Sequence, residues 1–173
     1  STQKGIIELF VHLKIVPGAS KDSIKRAMAL ANRVSINIEA ATPSGLAELS
    51  STKDYNKDIL KRLHWIDKLH GKSTTYPNST HTTQLIVGAN DESDREILHR
   101  MEKIYNKTKL KRTYFSAFSP IQETDFENKE ACSTDRTAKL YNADSLLNDY
   151  HFKLNELVFN ENNQLSLTQD PKM

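Results

Sequence analysis

Ser35, Asn37 and Glu39 alternate with Val34, Ile36 and Ile38. In a strand, whose side chains repeat every two residues, that spacing places three polar groups on one face and three aliphatic groups on the other. An asparagine amide supplies both donors and an acceptor, and a carboxylate accepts two hydroxyls at once, which suits a ribose diol or an amino-acid ammonium group. Strands buried in a parallel sheet are ordinarily apolar on both sides. The row therefore marks either a ligand site or a layer of polar groups satisfied inside a barrel. Gly88 closes the run Thr83-Gln84-Leu85-Ile86-Val87, where a glycine lets a flat ligand approach the backbone or simply serves a strand-to-helix turn. No Gly-x-Gly-x-x-Gly and no phosphate loop is present, which disfavours the common nucleotide folds.

The remaining reactive side chains form no recognisable constellation. His12, His64, His70, His81, His99 and His151 lack metal-ligand spacing, and Cys132, the only cysteine, stands in a polar stretch with no histidine near it in sequence. An internal disulfide is excluded, a cysteine-rich metal site cannot be assembled from this chain alone, and no catalytic or metal residue is assigned. Lys14, flanked by apolar neighbours, reads as an ion-paired or snorkelling lysine. Lys107, Lys109, Lys111 and Arg112, interleaved with Tyr105 and Tyr114, form the one basic and aromatic patch. It suits either phosphates and bases or the negative end of a helix.

These residues need elements to position them. Four strand-like runs, Val11 to Val16, Arg33 to Glu39, Thr83 to Gly88 and Arg112 to Phe118, are separated by stretches of helical period, the pattern of an α/β protein with a parallel sheet and helical crossovers. Helices are expected from about Ser20 to Asn32, over Leu46 to Leu49, from Lys57 to His70 with Gly71 beyond its end, from about Asp91 to Lys107, and from Thr134 to Asp149. Lys72 to His81 reads as the longest loop before the third strand, Ser119 to Thr134 as irregular, and the asparagine-rich tail past Phe152 as having few anchors. In such sheets binding groups gather at the C-terminal ends of the strands.

The 173 residues suit one domain, are 37% hydrophobic and 27% charged, and carry a net charge of +2, too balanced to announce a nucleic-acid binder. Four strands do not close a barrel of roughly 250 residues, so the pattern predicts an open sheet or part of something larger. No apolar run is long enough for a membrane span and the first residues do not build a signal peptide, so a cytoplasmic protein without membrane partners is expected. Ser1-Thr2 at the start and Asp170-Pro171-Lys172-Met173 at the end read as cuts in a longer protein or as a processed chain.

Three blocks carry a resemblance: His12-Leu13-Lys14-Ile15-Val16-Pro17-Gly18-Ala19, Asn32-Arg33-Val34-Ser35-Ile36-Asn37-Ile38-Glu39, and Thr82-Thr83-Gln84-Leu85-Ile86-Val87-Gly88-Ala89. Others follow in order: Glu92-Ser93-Asp94-Arg95-Glu96-Ile97-Leu98, Tyr114-Phe115-Ser116-Ala117-Phe118-Ser119-Pro120, Leu140-Tyr141-Asn142-Ala143-Asp144 and Asp170-Pro171-Lys172. Together they resemble the second half of a radical S-adenosylmethionine (SAM) domain, as found in the family of putative DNA modification or repair proteins that end in a helix-hairpin-helix module. The resemblance implies a partial (β/α) barrel, in which this chain supplies strands three to six of six, over residues 1–120. Residues 121–173 would then form an irregular segment, a helix and a tail leading toward a further module.

The resemblance further implies S-adenosylmethionine bound across the strand ends, beside an iron–sulfur cluster held by a Cys-x-x-x-Cys-x-x-Cys loop that this chain lacks. Ser35, Asn37 and Glu39 would engage the ribose and methionyl groups. Gly88 would lie against the adenine, and the backbone of Phe115, Ser116 and Ala117 would pair with its edge. Arg95 and Lys14 are further charged candidates. The implied partners are the cofactor, DNA and the upstream half of the same barrel, and the chain by itself is expected to be inactive. A non-enzymatic nucleic-acid or protein interaction module is the competing expectation. The chain departs from the family's pattern at Thr80-His81, where a Gly-Gln pair is usual, and in Asp135 to Ser145, where several charged and aromatic members are missing. An exposed first strand, with Ile6, Ile7, Leu9, Val11, Leu13 and Ile15 near its unpaired edge, predicts self-association.

Overall fold

The computed structural model describes residues 9–72 and 79–166. Ile6, Ile7, most of the loop around Pro77, and Asp170 to Lys172 lie outside the described residues. Four strands, β1 (His12–Lys14), β2 (Arg33–Ser35), β3 (Thr80–Val87) and β4 (Arg112–Ala117), pair in parallel in the order β1-β2-β3-β4. Right-handed crossovers carry each strand to its neighbour from the same side of a sheet. Because the order never reverses, the helices gather on one face and leave the other open, as in an arc of a (β/α) barrel and unlike a doubly wound sheet.

Local chemistry explains the helix starts. The hydroxyl of Ser20 accepts from Ser23 N–H to open α1 (Lys21–Leu30), and Ser93 with Glu96 forms a reciprocal cap on α4 (Asp94–Tyr105). Ser133 caps α5 (Thr134–Asn148). The helix expected over Leu46 to Leu49 starts earlier, as α2 (Pro43–Leu49): Thr42 is the cap and Pro43 fills a position whose N–H needs no helical partner. A π-helical turn over Tyr55–Leu60, opened by Asp54, leads into α3 (Lys61–Lys72), so that helix includes Gly71 where an end was expected.

The strands differ from the sequence pattern in two places. β3 starts at Thr80, within the segment expected to be a loop, because Thr80 N–H bonds to Asn32 O and Thr80 pairs with Arg33, a partner distant in sequence. β2 is regular only to Ser35. Its register with β3 would carry Glu39 to Ile86, yet Glu39 bridges to Leu85, and the N–H groups of Ile38 and Glu39 both reach Gln84 O, at 3.0 and 3.1 Å. Glu39 has φ 63°, the geometry of a bulge that ends regular pairing.

One hydrophobic cluster runs from Ile15 through the helix-facing residues Val34, Ile36, Ile38, Leu85 and Val87 to Leu140, Leu147, Leu157 and Leu165. The C-terminal segment therefore shares the core of the sheet. The tail is anchored where few anchors were expected: Phe159 bridges to Leu165, and the Asp94 carboxylate accepts from Leu165 N–H at 3.0 Å while pairing with Arg136 at 2.7 Å. At the β1 edge Ile15 is buried and Leu13 half-buried, and the apolar groups that face solvent are Leu9, Phe10, Val16 and Leu30. At the other edge Tyr141 of α5 covers β4: its hydroxyl accepts from Phe115 N–H at 2.9 Å and donates to Phe115 O at 3.3 Å. No helix among the described residues is long and apolar enough to cross a membrane.

Candidate functional site

The open face of the sheet is polar. Alternation puts His12 and Lys14, Arg33, Ser35 and Asn37, Thr82 and Gln84, and Arg112, Tyr114 and Ser116 on the side away from the core-facing residues. Register sets Lys14, Ser35, Thr82 and Arg112 in one row, Gln84 beside Tyr114, and Ile86 beside Ser116. The Ser35 hydroxyl meets His12 Nε2 at 2.9 Å. Asn37 is 7% exposed, and no hydrogen bond from another described residue reaches its side chain. An amide so largely covered, with no described partner, leaves its donors and acceptor to water or to a ligand.

Above Asn37, the bulge redirects the chain at Glu39, whose carboxylate lies 3.9 Å from Lys53 Nζ. That distance is an ion pair without a hydrogen bond, so the carboxylate keeps its acceptor capacity. The following loop is rigidly held. Glu92 accepts from Ala41 N–H, Thr42 N–H and the Thr42 hydroxyl at 2.8, 2.7 and 2.6 Å. From the other side, the Tyr55 hydroxyl donates to Ala40 O and Ala41 O, and Arg100 Nε donates to Ala41 O. Glu39 is thus presented by a clamped loop rather than a free one.

At Gly88 the structure adds a packing reason for glycine. Its φ is 84°, and a side chain there would come within 2.7 Å of Cys132 Cβ, so the Cβ side of Gly88 is filled by the chain itself. Phe115, expected to offer its backbone to the adenine edge, has its ring buried against Tyr141 and both its backbone groups bonded to the Tyr141 hydroxyl. By strand alternation Ala117 directs its own N–H and C=O toward the same outer edge. Ser116 stands on the open face beside Ile86. Arg95 is exposed and stacks over Phe159, away from this face, and Lys14 is exposed at its β1 end.

Titration is disturbed mainly by burial. Asp144 is pushed up to about 7 by desolvation, which outweighs the hydrogen bonds donated by the Tyr105 hydroxyl to both its oxygens at 2.8 and 2.9 Å. Burial and the adjacent Asp144 charge raise Tyr105 far above its ordinary range. His81, on the core side of β3, is pulled down to about 4 by desolvation, and its Nε2 has no partner. Burial raises the Cys132 thiol, which leaves it in the unreactive form. Among the described residues no group of three or more His, Cys, Asp or Glu side chains could hold a metal ion.

The basic patch is reorganised. Tyr105 turns inward to Asp144 and Thr113, whereas Lys107, Lys109, Lys111 and Arg112 remain exposed, with Arg112 over the Tyr114 ring at 5.5 Å. Sequence reasoning missed Arg33, Thr82 and Tyr114 as members of the open face. The alternation that selected Ser35 and Asn37 extends back to Arg33, but Thr82 becomes visible only when β3 is known to start at Thr80.

Comparison of the chain with protein-family models, with curated proteins and with solved structures found no match.

Proposed function

We propose that the chain is the cofactor-binding half of a radical SAM-type partial barrel, with S-adenosylmethionine held across the C-terminal ends of its strands and nucleic acid as the substrate class. Asn37 carries the reading: a nearly buried amide on the open face, unpartnered by the described residues, suits a polar ligand better than a closed structural layer. The sequential, all-parallel strand order supports it. Asn37 and Glu39 would hold the ribose and methionyl groups, Ser116 would line the same face, and Ala117 would offer its backbone edge. Ser35 is engaged by His12 and would help to shape the floor.

The iron–sulfur cluster does not fit this chain. Cys132 is its one cysteine, stands beside Gly88, and has no second soft ligand near it among the described residues. Binding and orienting the cofactor are therefore the roles assigned to these residues, and cofactor cleavage would need ligands from elsewhere. The four exposed cations Lys107, Lys109, Lys111 and Arg112 favour the second reading, a nucleic-acid interaction module without chemistry.

Calorimetric titration of S-adenosylmethionine into the chain tests the first reading. Replacing Asn37 or Glu39 with alanine should weaken binding by about 1 to 3 kcal/mol, as expected for polar contacts in a half-buried site. Absent binding, or an affinity that neither change alters, would reject the assignment.

A further inference from the structure

A second site lies away from these strand ends. A cavity of about 500 Å³ opens between the sheet and the flank of α5, with Arg33, Thr82, Lys111, Arg112, Tyr114 and Asp144 in its walls. That is the volume class of a small-molecule site.

Its walls set three cations, Arg33, Lys111 and Arg112, against two carboxylates, Asp144 and Asp149. Thr82 is 2% exposed and lines the cavity, and no described residue hydrogen-bonds its hydroxyl. Arg33 Nε is buried without a partner, while its Nη1 donates to the Tyr114 hydroxyl at 3.3 Å. Among the described residues Arg33, Lys111 and Arg112 make no ion pair. The carboxylates of the wall are engaged elsewhere: Asp144 receives the Tyr105 hydroxyl on both oxygens, and Asp149 accepts from Ser145 at 2.8 Å. Three cations without an ion pair among the described residues and a threonine hydroxyl without a described partner thus line one space, where the nearest opposing charge is that of Asp144 beside Arg112.

A water molecule could satisfy the Thr82 hydroxyl but not the charge. An anion with several acceptor oxygens satisfies both, and guanidinium forks match tetrahedral oxyanions well. Arg112 already stacks over Tyr114, which leaves an aromatic wall for a flat group next to the cations.

We propose that this cavity binds the phosphate of a nucleotide, with Arg33 and Arg112 as charged donors, Thr82 as hydroxyl donor and Lys111 at the rim. The same phosphate could belong to a free mononucleotide or to a nucleic-acid strand. The site stands apart from the cofactor reading, because it draws on Lys111 and Arg112 at the start of β4 whereas the cofactor residues lie at strand ends.

The test is titration of the full chain at low salt with adenosine monophosphate and, separately, with a short fluorescent oligothymidylate. Saturable binding of at least one probe is expected. Arg112→Gln should weaken it about tenfold or more and Thr82→Val about fivefold, the losses expected for a charged and a neutral hydrogen bond. Lys25→Gln, on α1, should leave it unchanged. A strand that binds about tenfold tighter than the mononucleotide, with steeper salt dependence, assigns the phosphate to nucleic acid, and similar affinities assign it to a free nucleotide. Arg112 is exposed, so its variant remains informative should Arg33→Gln fail to fold. No binding of either probe, or binding indifferent to both Arg112→Gln and Thr82→Val, overturns the proposal.

Discussion

Asp144 and His81 should drive the pH dependence of stability in opposite directions. The native Asp144 holds its proton up to about pH 7, whereas an unfolded aspartate releases it near 3.8. Between those values the native state binds the extra proton, so this group's contribution to stability is fully present below 3.8 and is lost as pH rises to 7. The buried His81 is the mirror case. Unfolded histidine takes a proton near 6.5 and the native one only near 4, so its contribution is present above 6.5 and is lost as pH falls toward 4. At a pH of about 5.5 each group alone gives a slope of roughly 1.3 kcal/mol per pH unit, with opposite signs, and the two nearly cancel. Asp144→Asn keeps an acceptor for the Tyr105 hydroxyl and removes one arm. With a shift of about three units, the variant should be more stable by about 2 to 4 kcal/mol at pH 8. It should also lose stability steeply as pH falls from about 6.5 to 4.5, where the parent is nearly flat. Urea unfolding at half-unit intervals of pH would show this. A variant no more stable than the parent at pH 8, with an unchanged pH profile, would refute the claim that desolvation of Asp144 outweighs its hydrogen bonds.

Two further outcomes follow from packing. Gly88→Ala should cost about 2 to 4 kcal/mol, combining the positive φ with overlap on Cys132, and adding Cys132→Gly should recover the overlap part and leave about 1 kcal/mol. A Gly88→Ala variant that melts like the parent would mean the two segments are not in contact. Tyr141→Phe removes the hydroxyl that covers the β4 edge, and should lower stability by about 1 to 2 kcal/mol and raise self-association in light scattering.

Much of the architecture was legible because its causes are local. The caps Ser20, Ser93 and Ser133 bind amides three residues away, and the period of two in Arg33 to Glu39 sorts side chains between faces without reference to a partner strand. The parallel α/β class followed from the alternation of these signals, and the structure bears out four parallel strands joined by helices.

What the sequence could not decide depends on contacts between residues more than 20 positions apart, most of them more than 40. The start of β3 at Thr80 rests on Asn32 and Arg33, and the bulge at Glu39 on Gln84 and Leu85. Gly88 is explained by Cys132, and the carboxylate of Asp94 by Arg136 and Leu165. The same holds for the polar face: alternation alone selects Ser35, Asn37 and Glu39 as a set. Only the folded chain shows that His12 engages Ser35, that the bulge re-aims Glu39, and that Asn37, 7% exposed, receives no hydrogen bond from a described residue. Side-chain direction is a property of the backbone, but whether a polar group is satisfied depends on what the fold brings beside it.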